Sequence, residues 1–219
     1  ISPFSLAASA WLGSAGALLL ILMASVRLRS NATLLIFGVM LSAVAGAGVS
    51  ILQYVSDAHA LKRFTLWALG SLGNVTGGAL LLLTVGVLVG LLLAYLCVRP
   101  LNLLLLGSEA AHRLGLPLGV SRMLVFGATT LLAGTVTAYC GPIGFIGIAV
   151  PHVARWVMRT AKHGPLITAT CLLGGLAMLL TDIISQLPGS DAVLPVNAVA
   201  SLLGLPVVLR ILLAKRGGA

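Results

Sequence analysis

Few side chains in this 219-residue chain are equipped for chemistry. His152 and Arg155 stand three residues apart, so on a helix they share one face. A histidine so placed could carry a proton or a metal ion. Near a membrane boundary, a hydrogen-bonding structural role is the plainer reading. Asp182 is the single acid well inside an apolar stretch. An acid at such depth is costly and usually paired, which makes it a candidate for handling protons or ions. Its position near the end of that stretch favours an anchor for helix packing, with a hydroxyl or basic partner. Cys97, Cys140 and Cys171 are odd in number, far apart and without a C-x-x-C pair. Three small buried thiols are therefore expected, rather than a disulfide framework or a zinc site. The patterns G-x-x-x-x-G-K-S/T, G-x-S-x-G and H-E-x-x-H are absent. The reading is a chain with no catalytic residue, no metal site and no machinery of its own for hydrolysing ATP or peptides.

The elements that position these residues follow from composition. The chain is 59% hydrophobic and 8% charged, with a mean hydropathy of +1.15. Ordinary soluble domains carry about 45–50% apolar and about 25% charged residues, so a soluble enzyme is excluded, and disorder more firmly still. A bilayer core of roughly 30 Å needs about 20 apolar residues of helix. Six stretches meet or approach this: 5–26, 32–55, 77–98, 122–140, 165–186 and 196–213. A seventh, 142–158, is short and carries Pro151.

Charge decides whether the seventh crosses. With seven crossings, Arg27, Arg29, Arg99, Arg113, Arg122, Arg155, Arg159, Lys162, Arg210, Lys215 and Arg216 share one side, against Lys62 and Arg63 on the other, or 11 against 2. If 142–158 turned back, the count would be 5 against 8. The excess of Lys and Arg in cytoplasmic loops favours seven crossings, an outside start and a cytoplasmic C-terminus. The net charge of +9 then reports orientation and not nucleic-acid binding, because the bases sit in scattered loops. An outside start at Ile1, with neither Met nor a signal peptide, suggests an N-truncated piece of a longer subunit.

Rows of small residues spaced by four let helix backbones approach closely. Ser42–Gly46–Ser50, Gly86–Gly90–Ala94 and Ala133–Thr137–Gly141 are such rows. Between spans, Asp57 is a candidate N-cap for a short outer helix ending at Gly70, with Trp67 at the membrane interface. Lys62 and Arg63 are either a solvated face or a docking patch for an extracytoplasmic partner. In the cytoplasmic segment 99–121, Ser108 fits an N-cap, Glu109 the positive first turn and Gly115 the C′ position, with Pro117 barring continuation. That segment would rest on lipid or dock on a cytoplasmic protein.

The motifs resemble one family. Gly141-Pro-Ile-Gly-Phe-Ile-Gly-Ile-Ala-Val-Pro-His-Val-Ala-Arg155 resembles the GPIGF(I/V)GL-x-x-PH-x-x-R signature of the permeases of iron-siderophore, haem and cobalamin ABC importers, the FecCD type. Residues 99–115 resemble its cytoplasmic RPLN-x-L-x-LG-x-x-A-x-x-LG segment, and Leu66–Leu72 its W-x-x-GSL element. Leu179–Asp182 is close to its LLAD, and Leu203–Val207 to its LLG-x-P run. Leu194–Asn197 is similar to its LPVG, with Asn where Gly is common.

The resemblance implies an all-α polytopic transmembrane bundle, here seven of ten spans in one domain over 1–219, with short cytoplasmic coupling helices and a short outer-face helix. It implies a bacterial inner-membrane permease that works as a dimer with a second permease copy. Two cytoplasmic ATPase subunits and an extracytoplasmic solute-binding protein complete the assembly. ATP and Mg would sit on the ATPase, so no cofactor is bound by this chain. The cargo would be a ferric siderophore, haem or cobalamin. ATPase coupling would fall to Asn102, Leu106, Gly107, Ser108, Glu109, Arg113, Leu114 and Gly115. Span 32–55, helix 58–69 and span 196–213 would border the translocation path, with Ser42, Ala45, Gly46 and Val49 among its lining, and loop 27–33 would lie near the cytoplasmic gate. Lys62 and Arg63 would meet the binding protein. Gly141, Pro142, Gly144, Pro151, His152, Arg155, Asp182 and Pro195 would be structural motif positions. The rival reading is an ion-coupled secondary transporter, which would need an inverted repeat and more intramembrane charge than the sequence displays.

Overall fold

The computed structural model describes residues 3–28, 30–73, 75, 77–186 and 194–216, so Arg29 of the charge count lies outside the described residues. Every element in it is helical: α1 Pro3–Arg27, α2 Asn31–Val55, α3 Ala58–Ala68, α4 Gly78–Leu96, α5 Val98–Leu104, α6 Ser108–Arg113, α7 Leu118–Cys140, α8 Ile146–Met158, α9 His163–Ser185 and α10 Val196–Arg216. Among the described residues, five helices are long and apolar enough to cross a membrane: those containing Ala8–Ser25, Ala32–Val55, Gly78–Leu96, Leu118–Cys140 and His163–Ser185. The span expected to begin at 122 begins at Leu118, because Pro117 serves as its N-cap and puts Arg122 in the second turn of α7.

The helices form two groups. In the first, α7 packs between α4 and α1. The row Gly86–Gly90 makes this possible: a Cβ on Gly86 would lie 2.7 Å from Thr135 Cγ2, and one on Gly90 2.6 Å from Leu132 Cδ2. On the other flank Gly134 lies against Ser14, and the Trp11 indole donates to Thr135 Oγ1 at 2.9 Å. The second group is α8, α9 and α10, packed on one another. The row Ser42–Gly46–Ser50 packs on nothing among the described residues; all three residues are exposed, and a Cβ on Gly46 would meet no atom within 4 Å.

Polar contacts mark the two ends of the bundle. At one end, which carries the C-terminus of α3, Ser71 N donates to Cys140 O at 3.0 Å and Asn197 N to Leu69 O at 3.2 Å. There Gly144 N also donates to Asn197 Oδ1 at 3.1 Å. At the other end, which carries α5, the Asn102 side chain meets His163. Residues 144 and 163 thus lie at opposite ends, and the chain between them traverses the bundle. Its helix α8 has only 13 residues, about 20 Å at 1.5 Å per residue. It is short because Gly141-Pro142-Ile143-Gly144 enters the bundle without helical structure.

Candidate functional site

Three surfaces carry the residues singled out above. The first is the α5–α6 segment. The expected N-cap at Ser108 is displaced by one residue: Gly107, at φ +93°, occupies the cap and Ser108 opens the helix without a side-chain cap. A glycine tolerates that backbone, whereas serine would be strained in it. Glu109 does lie in the first turn. Gly115, at φ +84°, closes α6 as expected. Its N–H donates to His112 O at 2.9 Å, and Leu116 N donates to Ala111 O at 3.0 Å. This double bond pattern is the Schellman stop, and Leu116 and Ala111, both buried, supply its apolar contact. Leu106, Gly107, Ser108, Glu109, Arg113, Leu114 and Gly115 are all exposed. Leu106 and Leu114 are exposed by 63% and 61%, so two large apolar side chains flank a charged turn with no described residue covering them. Asn102 is apart from this group. Its Oδ1 accepts from His163 N at 2.8 Å and pairs with His163 Nδ1 at 3.0 Å.

The second surface is α3, at the opposite end. Asp57 is its N-cap, accepting from Ala60 N at 2.6 Å. Lys62 and Arg63 are exposed on it. Trp67 is half-buried, and its indole N–H donates to the carbonyls of Thr137 and Ala138 at 3.1 and 3.2 Å. Those carbonyls belong to the last turn of α7: Thr137 O also accepts from Gly141 N at 3.0 Å, whereas the Ala138 carbonyl lies past the last helical donors. Beside the indole, a cavity of about 500 Å³ opens between α1 and α7, lined by Ser9, Ala10, Ser14, Ala133, Gly134, Thr137 and Ala138. Ala133 and Thr137 of the third small-residue row line this space, and Gly141 completes the row under α3.

The third surface is α2. Ser42, Ala45, Gly46 and Val49 are exposed along it, part of an unbroken exposed run from 42 to 50.

The signature positions form the connection between the groups. Gly141 stands at φ +79° and ψ 175°, where a Cβ would overlap the Trp67 carbonyl oxygen. Pro142 is exposed. Phe145, at φ +59° and ψ −44°, centres a tight turn in which Ile146 N donates to Gly144 O at 2.6 Å. This is the γ-turn geometry that is rare and strained for a residue with a side chain. It is held by Gly204 of α10, where a Cβ would come within 2.7 Å of Phe145 Cβ. Pro151 lies inside α8, where it removes one backbone donor. His152 and Arg155 are exposed. Among the described residues, Asp182 meets neither the hydroxyl nor the base expected of it: its Oδ2 accepts from the Gln186 side-chain amide, one turn along the same helix, at 2.7 Å. Pro195 precedes α10, and its carbonyl accepts from Ala198 and Val199. Among the described residues, no three His, Cys, Asp or Glu side chains converge as a metal site would require. Of the three thiols, Cys97 and Cys140 are buried and Cys171 is exposed. Cys171 and Leu172 lie on a face of α9 that is exposed among the described residues.

The sequence assigns no role to His163 or to the indole N–H of Trp67, and marks Asn197 only as a departure from the family motif. The signal for Asn197 was its departure from the glycine common at that position; for His163 it was a titratable side chain at the mouth of an apolar run.

The model of the FecCD transport family matches residues 1–214. The hemin transport system permease protein HmuU of Yersinia pestis is 38% identical over 186 residues, which cover 84% of this chain and 55% of that protein. The vitamin B12 import system permease protein BtuC of Klebsiella pneumoniae is 37% identical over 190 residues, covering 86% of this chain and 56% of that protein. The chain therefore spans little more than half the length of these relatives. A solved structure described as an inward-facing conformation of a metal-chelate type ABC transporter superposes with a TM-score of 0.85 at 32% identity, covering 98% of this chain and 69% of the other.

Proposed function

From the family to which this chain belongs, the FecCD transport family, we propose that it acts as the transmembrane permease of a binding-protein-dependent ABC importer. Partner ATPases drive it through alternating access, and it carries an iron chelate, haem or cobalamin inward across the bacterial inner membrane. The chain supplies a path and not reaction chemistry. ATP and Mg belong to the ATPase.

One observation carries this reading: the exposed α5–α6 segment and the exposed α3 helix lie at opposite ends of the bundle. A device that binds a motor on one side and a delivering protein on the other needs this arrangement. The basic residues support the orientation, since Arg99, Arg113, Arg122, Arg159 and Lys162 lie in or beside the α5 end and Lys62 and Arg63 lie in α3. That end is then cytoplasmic, and with it the C-terminus. The exposed α2 face, with Ser42, Ala45, Gly46 and Val49, borders the path against a second permease copy. Its small side chains would leave room for a bulky chelate and offer few tight sites. Asp182 favours no ion-coupled alternative, because its carboxylate is held by a neutral amide of its own helix end.

The test is reconstitution of the complete permease with its ATPase and binding protein in liposomes, with labelled cobalamin, haem and a ferric siderophore offered in turn. ATP-driven uptake of one of them is expected. Deletion of Gly107–Gly115 should abolish ATPase assembly. A stable, fully coupled complex after that deletion would refute the docking role.

A further inference from the structure

Asn102 belongs by resemblance to the docking segment, yet its side chain turns away from the exposed group and into the bundle. We infer that Asn102 and His163 form the lock through which movement of the coupling segment reaches the α8–α10 group; the inference rests on the permease reading above.

Three contacts build a continuous seam. Tyr95 Oη and Thr168 Oγ1 are 2.8 Å apart. Val98 Cγ1 would lie 3.6 Å from a Cβ placed on Gly164. Asn102 Oδ1 takes both the backbone N–H of His163, at 2.8 Å, and its ring Nδ1, at 3.0 Å. Positions 95, 98 and 102 follow helical spacing and lie on one face. Residues 168, 164 and 163 answer them in reverse order along α9. The helix scarcely breaks between α4 and α5, since Cys97 keeps a right-handed helical backbone at φ −77° and ψ −8°.

The seam matters because of what it connects. The α5–α9 packing is the principal helix-to-helix contact between the two groups. A second route from α6 leads into α7 through Ala111 and Leu116, and meets the second group only at the opposite end of the bundle, where Asn197 N donates to Leu69 O. Displacement of α6 therefore reaches α9, and the α10 helix packed on it, through α5. A single amide oxygen holding two donors of one residue resists both sliding and rotation at that point. Asn102 is in this sense a positioning residue: it acts through His163 and touches neither cargo nor nucleotide.

The complete transporter in liposomes provides the test, with the labelled chelate that the wild type takes up fastest. Asn102→Ala should leave ATPase stoichiometry intact and basal ATP hydrolysis within about twofold, while transport per ATP falls about tenfold, as suits the loss of two hydrogen bonds. Asn102→Asp, which keeps the acceptor oxygen, should recover at least half of the coupling ratio. His163→Ala keeps the backbone donor and should lose about threefold, for one bond; it also serves should Asn102→Ala fold poorly. Loss of ATPase binding in Asn102→Ala, with hydrolysis falling in step with uptake, would make Asn102 a docking contact and overturn the lock. So would an unchanged coupling ratio in both alanine variants, or an aspartate variant no better than the alanine. Absence of ATP-driven uptake by the wild type would instead overturn the permease reading, and this inference with it.

Discussion

Gly141→Ala tests the junction that ties the outer helix to the bundle. At φ +79° and ψ 175° the backbone lies in a region that glycine alone adopts freely, and an added side chain costs about 1–3 kcal/mol there. The methyl would also meet α3: it overlaps the Trp67 carbonyl oxygen and comes within 3.1 Å of Gly70 Cα and 3.3 Å of Gly70 N. All three neighbours are backbone, so no side chain can swing aside. Relief requires the end of α3 to lift from α7. Lifting breaks the indole bonds to Thr137 and Ala138 and the Ser71–Cys140 bond, each worth about 1 kcal/mol. The total comes to about 4–6 kcal/mol. Denaturant unfolding of the complete permease in detergent, followed by far-ultraviolet circular dichroism, measures it. Gly127→Ala is the control, because a Cβ there meets nothing within 4 Å, and inside a helix the change is neutral or stabilising by up to about 1 kcal/mol. Equal stability of the two variants would refute the close approach of α3 to α7.

Three further outcomes are expected. Lys62→Glu with Arg63→Glu should weaken binding-protein association severalfold at low salt and less at 0.5 M salt, read by surface plasmon resonance on nanodisc-embedded transporter; unchanged binding at both ionic strengths would mark these residues as a merely solvated face. Cys171 should react with a lipid-soluble maleimide while Cys97 and Cys140 stay unlabelled until the protein is unfolded, as mass spectrometry of the three cysteine peptides would read. Labelling of Cys140 in the folded protein would contradict its burial. Asp182→Asn should leave ATP-driven uptake within about twofold of wild type, since an amide can still pair with Gln186; loss of uptake with assembly intact would reopen an ion-coupled role.

Much of this fold was legible because membrane helices announce themselves by length and apolar composition. The α1, α2, α4, α7 and α9 helices lie where the hydropathy placed them, and local rules placed the Asp57 cap and the Gly115 stop within a residue or two. What could not be read was which faces meet. A helix apolar on nearly every side, such as α4, carries almost no periodic signal of its buried stripe. Only the glycines at 86 and 90 betray it. Nor could hydropathy rank α8, whose 13 residues are too few to span a bilayer by themselves, yet whose two flanks lie at opposite ends of the bundle.

The contacts that locate α8 and its group join residues far apart in the chain: Asn102 with His163 and Gly144 with Asn197, separated by 61 and 53 positions. No local pattern encodes such pairs. They share one physical trait, which is that each is a polar side chain close to the end of an apolar helix. There, an unpaired amide would sit between lipid and water, and a partner from another helix is the cheapest satisfaction available to it. Polar residues at the ends of spans are therefore the places to look for joints between helix groups. In this chain they account for both ends of the connection: the Asn197 clasp beneath the outer helix, and the Asn102–His163 lock beside the coupling segment.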